Sequence, residues 1–315
     1  MEGYGKDPHK RSPEENMNFS VINLDKPRGP TSHQVTYWVR KMLGVEKIAH
    51  GGTLDPNVSG VLPILLGEAR KLMEFFLGSG KEYIAVMELS AKKFPDKSTI
   101  EDVFSMFQGE IYQTPPKEAA VKRELRKRSI YQIEIIEIKE PYILFRADVE
   151  SGTYIRTLCK DMGTIMGCRG TMAELRRIRS GFLYDNDAVN MLDLKDDYIF
   201  WKEEKSNTFI KNDLIPVEDL IPEKSMIFIK DSSVDAICHG ANLSIAGISK
   251  YSTELHKGDM VALMSCKGEL VAMGKMLYDA DSIEGMKKGF VVDTTRVIMK
   301  RGTYPRMWKH GVETE

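Results

Sequence analysis

The sequence predicts an α+β protein: a first domain built on a mixed, largely antiparallel sheet, followed by a small β-barrel-like domain. Three observations point there. The chain has 315 residues, too many for one ordinary small domain and enough for a large core with a satellite. Strand-like alternation and helix-like stripes interleave without the regular repetition of a parallel βαβ sheet. Around residues 221–225 the texture changes to short β-like runs punctuated by glycines.

Taken in order, residues 1–17 are polar and read as an arm that is ordered only if it docks. Phe19 to Asn23 reads as a strand and Lys26 to Pro30 as a rigid loop. Ser32 can then cap a helix whose core stripe is Val35, Trp38, Val39, Met42 and Leu43. Lys81 to Ser90 alternates as a strand, and Ser98 with Glu101 makes a capping box before Ile100, Val103, Phe104 and Phe107. Gly109 to Arg128, with Pro115-Pro116 and a basic run, reads as an exposed loop. Strands over Ile130 to Ile138 and Tyr142 to Val149 precede a helix from about Tyr154 to Met166. Its apolar face is Ile155, Leu158, Met162 and Ile165, and Gly167 can stop it. Beyond the break, Met226 to Ile229, Met260 to Met264, Leu270 to Leu277 and Val291 to Met299 read as short strands of the second domain.

Composition narrows the function classes. With 42% hydrophobic and 29% charged residues the chain reads as globular, and its longest apolar runs, such as Val61 to Leu66, are far too short for a membrane span. Met1 to Lys10 carries no apolar core, so the expected location is the cytoplasm. Cys159, Cys168, Cys238 and Cys266 lack the spacing of a zinc knuckle or a disulfide framework and read as reduced core thiols. The histidines show no metal-ligand spacing, and no metal is expected. Net charge is −1, but basic residues cluster in Lys117 to Arg128, Arg169 to Arg179 and Arg296 to Lys309. Such clusters fit either a polyanion tracked along chosen surfaces or ordinary solvated faces.

One stretch suggests chemistry. In His50-Gly51-Gly52-Thr53-Leu54-Asp55-Pro56, the glycines permit tight backbone before the Asp and Pro56 holds Asp55 extended, so a single carboxylate is aimed from a short turn. Alone, the same residues also write a common surface turn. Gly78-Ser79-Gly80-Lys81 fails as a phosphate loop, because the upstream glycine is missing and Glu82 stands where Ser or Thr should be. Asp279 to Gly285 fails as a calcium loop on ligand spacing.

Lys26 to Ser32, His50 to Pro56, Lys81-Glu82-Tyr83, Ser151 to Leu158 and Leu175-Arg176-Arg177, in this order, resemble the TruB-type pseudouridine synthases. His239 to Leu243 resembles part of a PUA RNA-binding domain, and the nearest subtype is the archaeal H/ACA-guided enzyme related to dyskerin. The resemblance implies a pseudouridine synthase fold over residues 18–221 after an arm at 1–17, a PUA domain over 222–300 and a tail at 301–315. It implies catalysis by Asp55 as nucleophile or base, with Arg156 keeping the carboxylate charged and Tyr83 as the platform for a flipped base. His50, Tyr154 and Leu175 are implied near the nucleotide and Lys26 as a support. Lys122, Arg123, Arg126, Lys127, Arg128, Arg176, Arg177, Gly240, Ala241 and Asn242 are the expected RNA contacts. The implied partners are an H/ACA guide RNA, target rRNA, tRNA as a further candidate, and small H/ACA accessory proteins; no cofactor is implied. Glu118 interrupts the basic loop, hinting that partner proteins share the grip on RNA. Two alternatives remain: a stand-alone tRNA enzyme of the same chemistry, and a non-catalytic RNA scaffold.

Overall fold

The computed structural model describes residues 3–116 and 122–307. The start of the basic cluster at Lys117, Glu118 within it, and the tail from Trp308, Lys309 included, lie outside the described residues. Contacts divide the described chain into two compact units: one from Ile22–Leu65 and Leu72–Ser206, the other from Met1–Val21, Leu66–Lys71 and Asn207–Glu315.

Strands β1 (Ser20–Lys26), β2 (Ile48–His50), β3 (Ser59–Leu66), β4 (Lys81–Ser90), β5 (Gly109–Gln113), β6 (Arg126–Lys139), β7 (Tyr142–Val149), β8 (Arg169–Ser180) and β9 (Leu183–Tyr184) supply the sheet of the first unit. Its order is β1-β3-β8-β4-β7-β6-β5, with β2 on β3 and β9 on β8. β4 runs antiparallel to both β7 and β8, whereas β3 and β8 are parallel through Ser59 opposite Arg176 and Gly60 opposite Arg177. The sheet is thus mixed and mostly antiparallel.

Helix Ser32–Leu43 buries Val35, Val39 and Leu43, as its period demands, but Trp38 is 44% exposed: the apolar stripe is narrower than the sequence suggests. Thr31 is its cap, in a reciprocal box with Gln34, so Ser32 does not cap and its hydroxyl is free for a task described below. Asp96 likewise replaces Ser98 as the cap of helix Lys97–Met106, accepting from the Thr99 amide at 2.8 Å. Helix Ile155–Ile165 buries Ile155, Leu158 and Met162, leaves Ile165 exposed, and ends before Gly167 at φ 70°. It lies so close to β8 that a Cβ on Gly163 would stand 2.2 Å from the Gly170 nitrogen, and only glycine fits. Both ends of the loop expected over Gly109 to Arg128 are strand instead: Gly109–Gln113 pairs with Arg126 to Ile130, so Arg126, Lys127 and Arg128 belong to the sheet.

In the second unit, β10 (Ile215–Pro216) pairs with the first two residues of β1. A six-stranded sheet is formed by β11 (Met226–Ile229), β12 (Leu243–Ser244), β13 (Ile248–Tyr251), β14 (Met260–Ser265), β15 (Leu270–Met276) and β16 (Phe290–Val297), in the order β12-β16-β15-β14-β11-β13. Ile227, Val234, Ile237, Val261, Leu263, Val271 and Val292 fill its core. The N-terminal arm docks within this unit: Arg11 makes a two-pronged pair with buried Glu218 at 2.8 and 3.1 Å, and the Lys6 amide donates to Glu269. All four cysteines are free, but Cys266 is exposed and Cys168 half-buried, so only Cys159 and Cys238 are core thiols. Among the described residues no helix is long and apolar enough to cross a membrane.

Candidate active site

The turn between β2 and β3 is fixed from several directions. Asp55 itself closes the turn, its carbonyl accepting from the Val58 amide at 3.0 Å. Ser32 clamps the preceding peptide, since its hydroxyl lies 2.9 Å from the Leu54 carbonyl and 2.8 Å from the Leu54 amide. The Gly29 amide donates to the Pro56 carbonyl at 2.8 Å. Lys26 is completely buried, and its ammonium donates to the carbonyls of Pro27, Pro56 and Val58 at 2.9, 3.3 and 2.8 Å. Gly52 adopts φ 123°, which side-chain-bearing residues rarely do. The outcome is a rigid loop from which the Asp55 side chain, 54% exposed, reaches solvent.

Opposite stands Arg156, in the first turn of helix Ile155–Ile165, whose guanidinium hydrogen-bonds and ion-pairs with the Asp55 carboxylate. That helix start is itself held. The side chain of Gln113, 2% exposed, accepts from the Tyr154 amide at 3.0 Å and donates to its carbonyl at 3.2 Å. A carboxylate oxygen meeting a guanidinium donor makes a charge-assisted, orienting hydrogen bond, and a half-exposed setting leaves room for a ligand.

His50 is half-buried and packs edge-on against His33, ring centroids 5.1 Å apart. Burial first, then the neighbouring His33 and Arg177, push its imidazole below the usual histidine range, so it is neutral near pH 7. Its Nδ1 is enclosed without a hydrogen-bond partner among the described residues. Tyr83 lies on β4 opposite Arg177 of β8 and is 9% exposed. Leu175 and Tyr154 are half-buried.

The expected RNA contacts separate into two kinds. Lys122 pairs with Glu124, Lys127 with Glu110, and Arg128 with Glu150, so much of the basic run is already balanced by acidic neighbours. Arg123 donates to the Pro115 carbonyl and Arg126 to the Lys122 carbonyl, ordering the described end of the loop. Arg176 is shared between Asp25 and Asp185. Arg177 does not fit the expectation: it is 1% exposed and donates to the carbonyls of Val61 and Gly52, so it cannot meet RNA. In the second unit, Gly240 and Ala241 are exposed, while Asn242 accepts from the Thr294 amide at 2.9 Å and so braces that corner.

Three roles near the site were not legible in the sequence. Lys81, 4% exposed, donates to the Phe76 and Ser79 carbonyls at 2.9 and 2.5 Å, the reverse of a phosphate-gripping lysine. Ser32 reads in sequence as a helix cap rather than as the clamp on Leu54, and nothing near Gln113 in sequence marks what it holds.

A model of the TruB family pseudouridylate synthase N-terminal domain matches residues 40–155, and one of the tRNA pseudouridylate synthase B C-terminal domain matches 156–221. A PUA domain model matches 225–298 and a DKCLD domain model 1–36. Among relatives, the probable tRNA pseudouridine synthase B of Nanoarchaeum equitans is 48% identical, covering 98% of this chain and 87% of its own length. That of Pyrococcus abyssi is 47% identical, over 97% and 91%. Among solved structures, a chain from a Cbf5-Nop10-Gar1 complex superposes with a TM-score of 0.91 at 44% identity, covering 97% of this chain and 93% of that one. A chain from an H/ACA RNP bound to a substrate RNA containing 2'-deoxyuridine gives 0.90 at 42%, over 98% and 94%.

Proposed function

Since the chain belongs to the TruB family of pseudouridine synthases and carries a PUA domain, we propose that it is the catalytic subunit of an H/ACA guide ribonucleoprotein that isomerises uridine to pseudouridine in rRNA. The observation that carries the reading is the Asp55–Arg156 pair, presented to solvent on a turn whose backbone is fixed by Lys26 and Ser32. In the reaction the bond from the sugar C1' to N1 of uracil breaks and one from C1' to C5 forms; C5 loses its proton and N1 gains one, so no oxidant or reductant is needed.

Asp55 supplies the carboxylate that acts as nucleophile or base, and Arg156 compensates its charge and fixes its direction. Tyr83 receives the base once it leaves the helical stack, with Leu175 and Tyr154 as further pocket walls and His50, neutral at pH 7, beside the nucleotide. Residues 18–221 carry catalysis. Residues 222–300 read unpaired guide nucleotides, Gly240 and Ala241 offering exposed backbone for close approach. The basic residues from Lys122 to Arg128 meet RNA phosphates, and their pairing with Glu110, Glu124 and Glu150 leaves a grip that accessory proteins complete. The resemblance to chains of a Cbf5-Nop10-Gar1 complex and of an H/ACA RNP with substrate RNA supports such partners; acting on rRNA, the protein would serve ribosome biogenesis, in the cytoplasm.

The test is pseudouridine formation by the purified chain. Product on target RNA only with guide RNA and accessory proteins is the expected result. Product on a bare tRNA stem-loop would instead make it a stand-alone tRNA enzyme, a reading favoured by the curated relatives called tRNA pseudouridine synthase B.

A further inference from the structure

Strand β8 runs between β3 and β4, and Arg177 sits where the three meet, with Gly60 opposite it on β3 and Tyr83 opposite it on β4. Gly60 must be glycine here: a Cβ would stand 2.1 Å from the Arg177 carbonyl oxygen. The Arg177 guanidinium donates from Nε to the Val61 carbonyl at 2.7 Å and from a terminal nitrogen to the Gly52 carbonyl at 3.0 Å. Burial works against its charge, and its cross-strand neighbour Tyr83 favours it. Its charge also presses on Lys26, His50 and Lys81. A cation buried among cations, and bonded to carbonyls rather than a carboxylate, is costly to keep for stability alone.

We propose that Arg177 is a positioning residue for the reaction: its guanidinium holds the Gly52 carbonyl, three residues before Asp55, while its backbone stands opposite Tyr83 across the β4–β8 ladder, and so fixes the spacing of carboxylate and base platform. This rests on the roles given above to Asp55 and Tyr83. The rigid fork of Arg holds the Val61 and Gly52 carbonyls at once, whereas a Lys ammonium at the same depth lacks that planar geometry.

The experiment uses the reconstituted complex with guide and target RNA, and compares wild type, Arg177→Lys and Arg177→Gln. Single-turnover rates, target RNA affinity and melting temperature are measured for each. Misplacement of reacting groups by about 1 Å costs on the order of a hundredfold, so Arg177→Lys is expected to lower the rate by roughly that factor. Affinity should stay within about threefold, because no phosphate contact is lost. Arg177→Gln, which loses both the fork and the charge, should be at least as slow as Arg177→Lys. A wild-type rate in Arg177→Lys at temperatures below its melting point would overturn the inference, as would a loss confined to RNA affinity. A wild-type complex that forms no product on any substrate would overturn the functional reading, and this inference with it; a productive wild type with an unimpaired Arg177→Lys overturns the inference alone.

Discussion

Replacing Lys26 by Met removes an ammonium that is wholly buried and bonded to three carbonyls, those of Pro27, Pro56 and Val58. Hydrogen bonds from a charged donor contribute about 1.5–3 kcal/mol each, and the carbonyls left behind would face a thioether chain without donors. Against that stands the desolvation that the ammonium itself suffers: burial lowers its affinity for the proton, while the nearby Asp55 carboxylate raises it. The 3.3 Å contact is the weakest, so two strong bonds less the relieved desolvation leave a net loss of about 3 kcal/mol. For a protein of this size that lowers the melting temperature by about 6–12 °C. Scanning calorimetry of both proteins at pH 7 reads it directly. A shift under about 2 °C would refute the reasoning that these three bonds hold the Asp55 turn.

Arg11→Met strands the Glu218 carboxylate, 6% exposed, which also accepts from the Leu270 amide at 3.1 Å; a loss of about 3–5 kcal/mol is expected, partly restored by adding Glu218→Gln. Urea titration of the single and double variants checks it, with proteolysis of residues 1–17 reporting release of the arm. For Lys81, burial and then the charges of Arg177 and Arg179 bring the ammonium down to about 7 from 10.5. Below pH 7 folded and unfolded chains both hold that proton and the native state bears the full burial cost. Above it only the unfolded chain keeps the proton. Wild type should therefore gain on Lys81→Met by about 1.4 kcal/mol per pH unit from pH 7 towards 10.5, and a difference flat across pH 6–9 would contradict the assignment.

Period and punctuation made part of the first unit legible, while β3 and β8 in the middle of its sheet read in sequence only as an apolar run and a basic cluster. The stripe of Val35, Val39 and Leu43 and the alternation of Lys81 to Ser90 are local signals that tertiary packing then used unchanged. Asp55 was legible for the same reason, because Gly52 and Pro56 constrain the backbone whatever surrounds it. What stayed hidden were buried cations. A lysine or arginine in sequence reads as solvated, and whether carbonyls will gather around it depends on strands far apart in the chain, as Val61 and Gly52 gather around Arg177. One clue was present: Arg176 and Arg177 are adjacent in a strand, so they face opposite sides of the sheet, and only one could join Asp25 and Asp185 at the surface. The caps moved for a related reason. Thr31 and Asp96 had as good a claim as Ser32 and Ser98, and the choice lay with the entering backbone.

The central claim is that the Asp55 carboxylate, held by Arg156, performs the isomerisation while other residues bind the RNA. Its most direct test is the Asp55→Ala chain in the guided complex, assayed for pseudouridine and, separately, for target RNA affinity. The account predicts no product, with affinity kept within about tenfold of wild type, because removing one carboxylate takes away no phosphate contact. Pseudouridine formed by Asp55→Ala would contradict it.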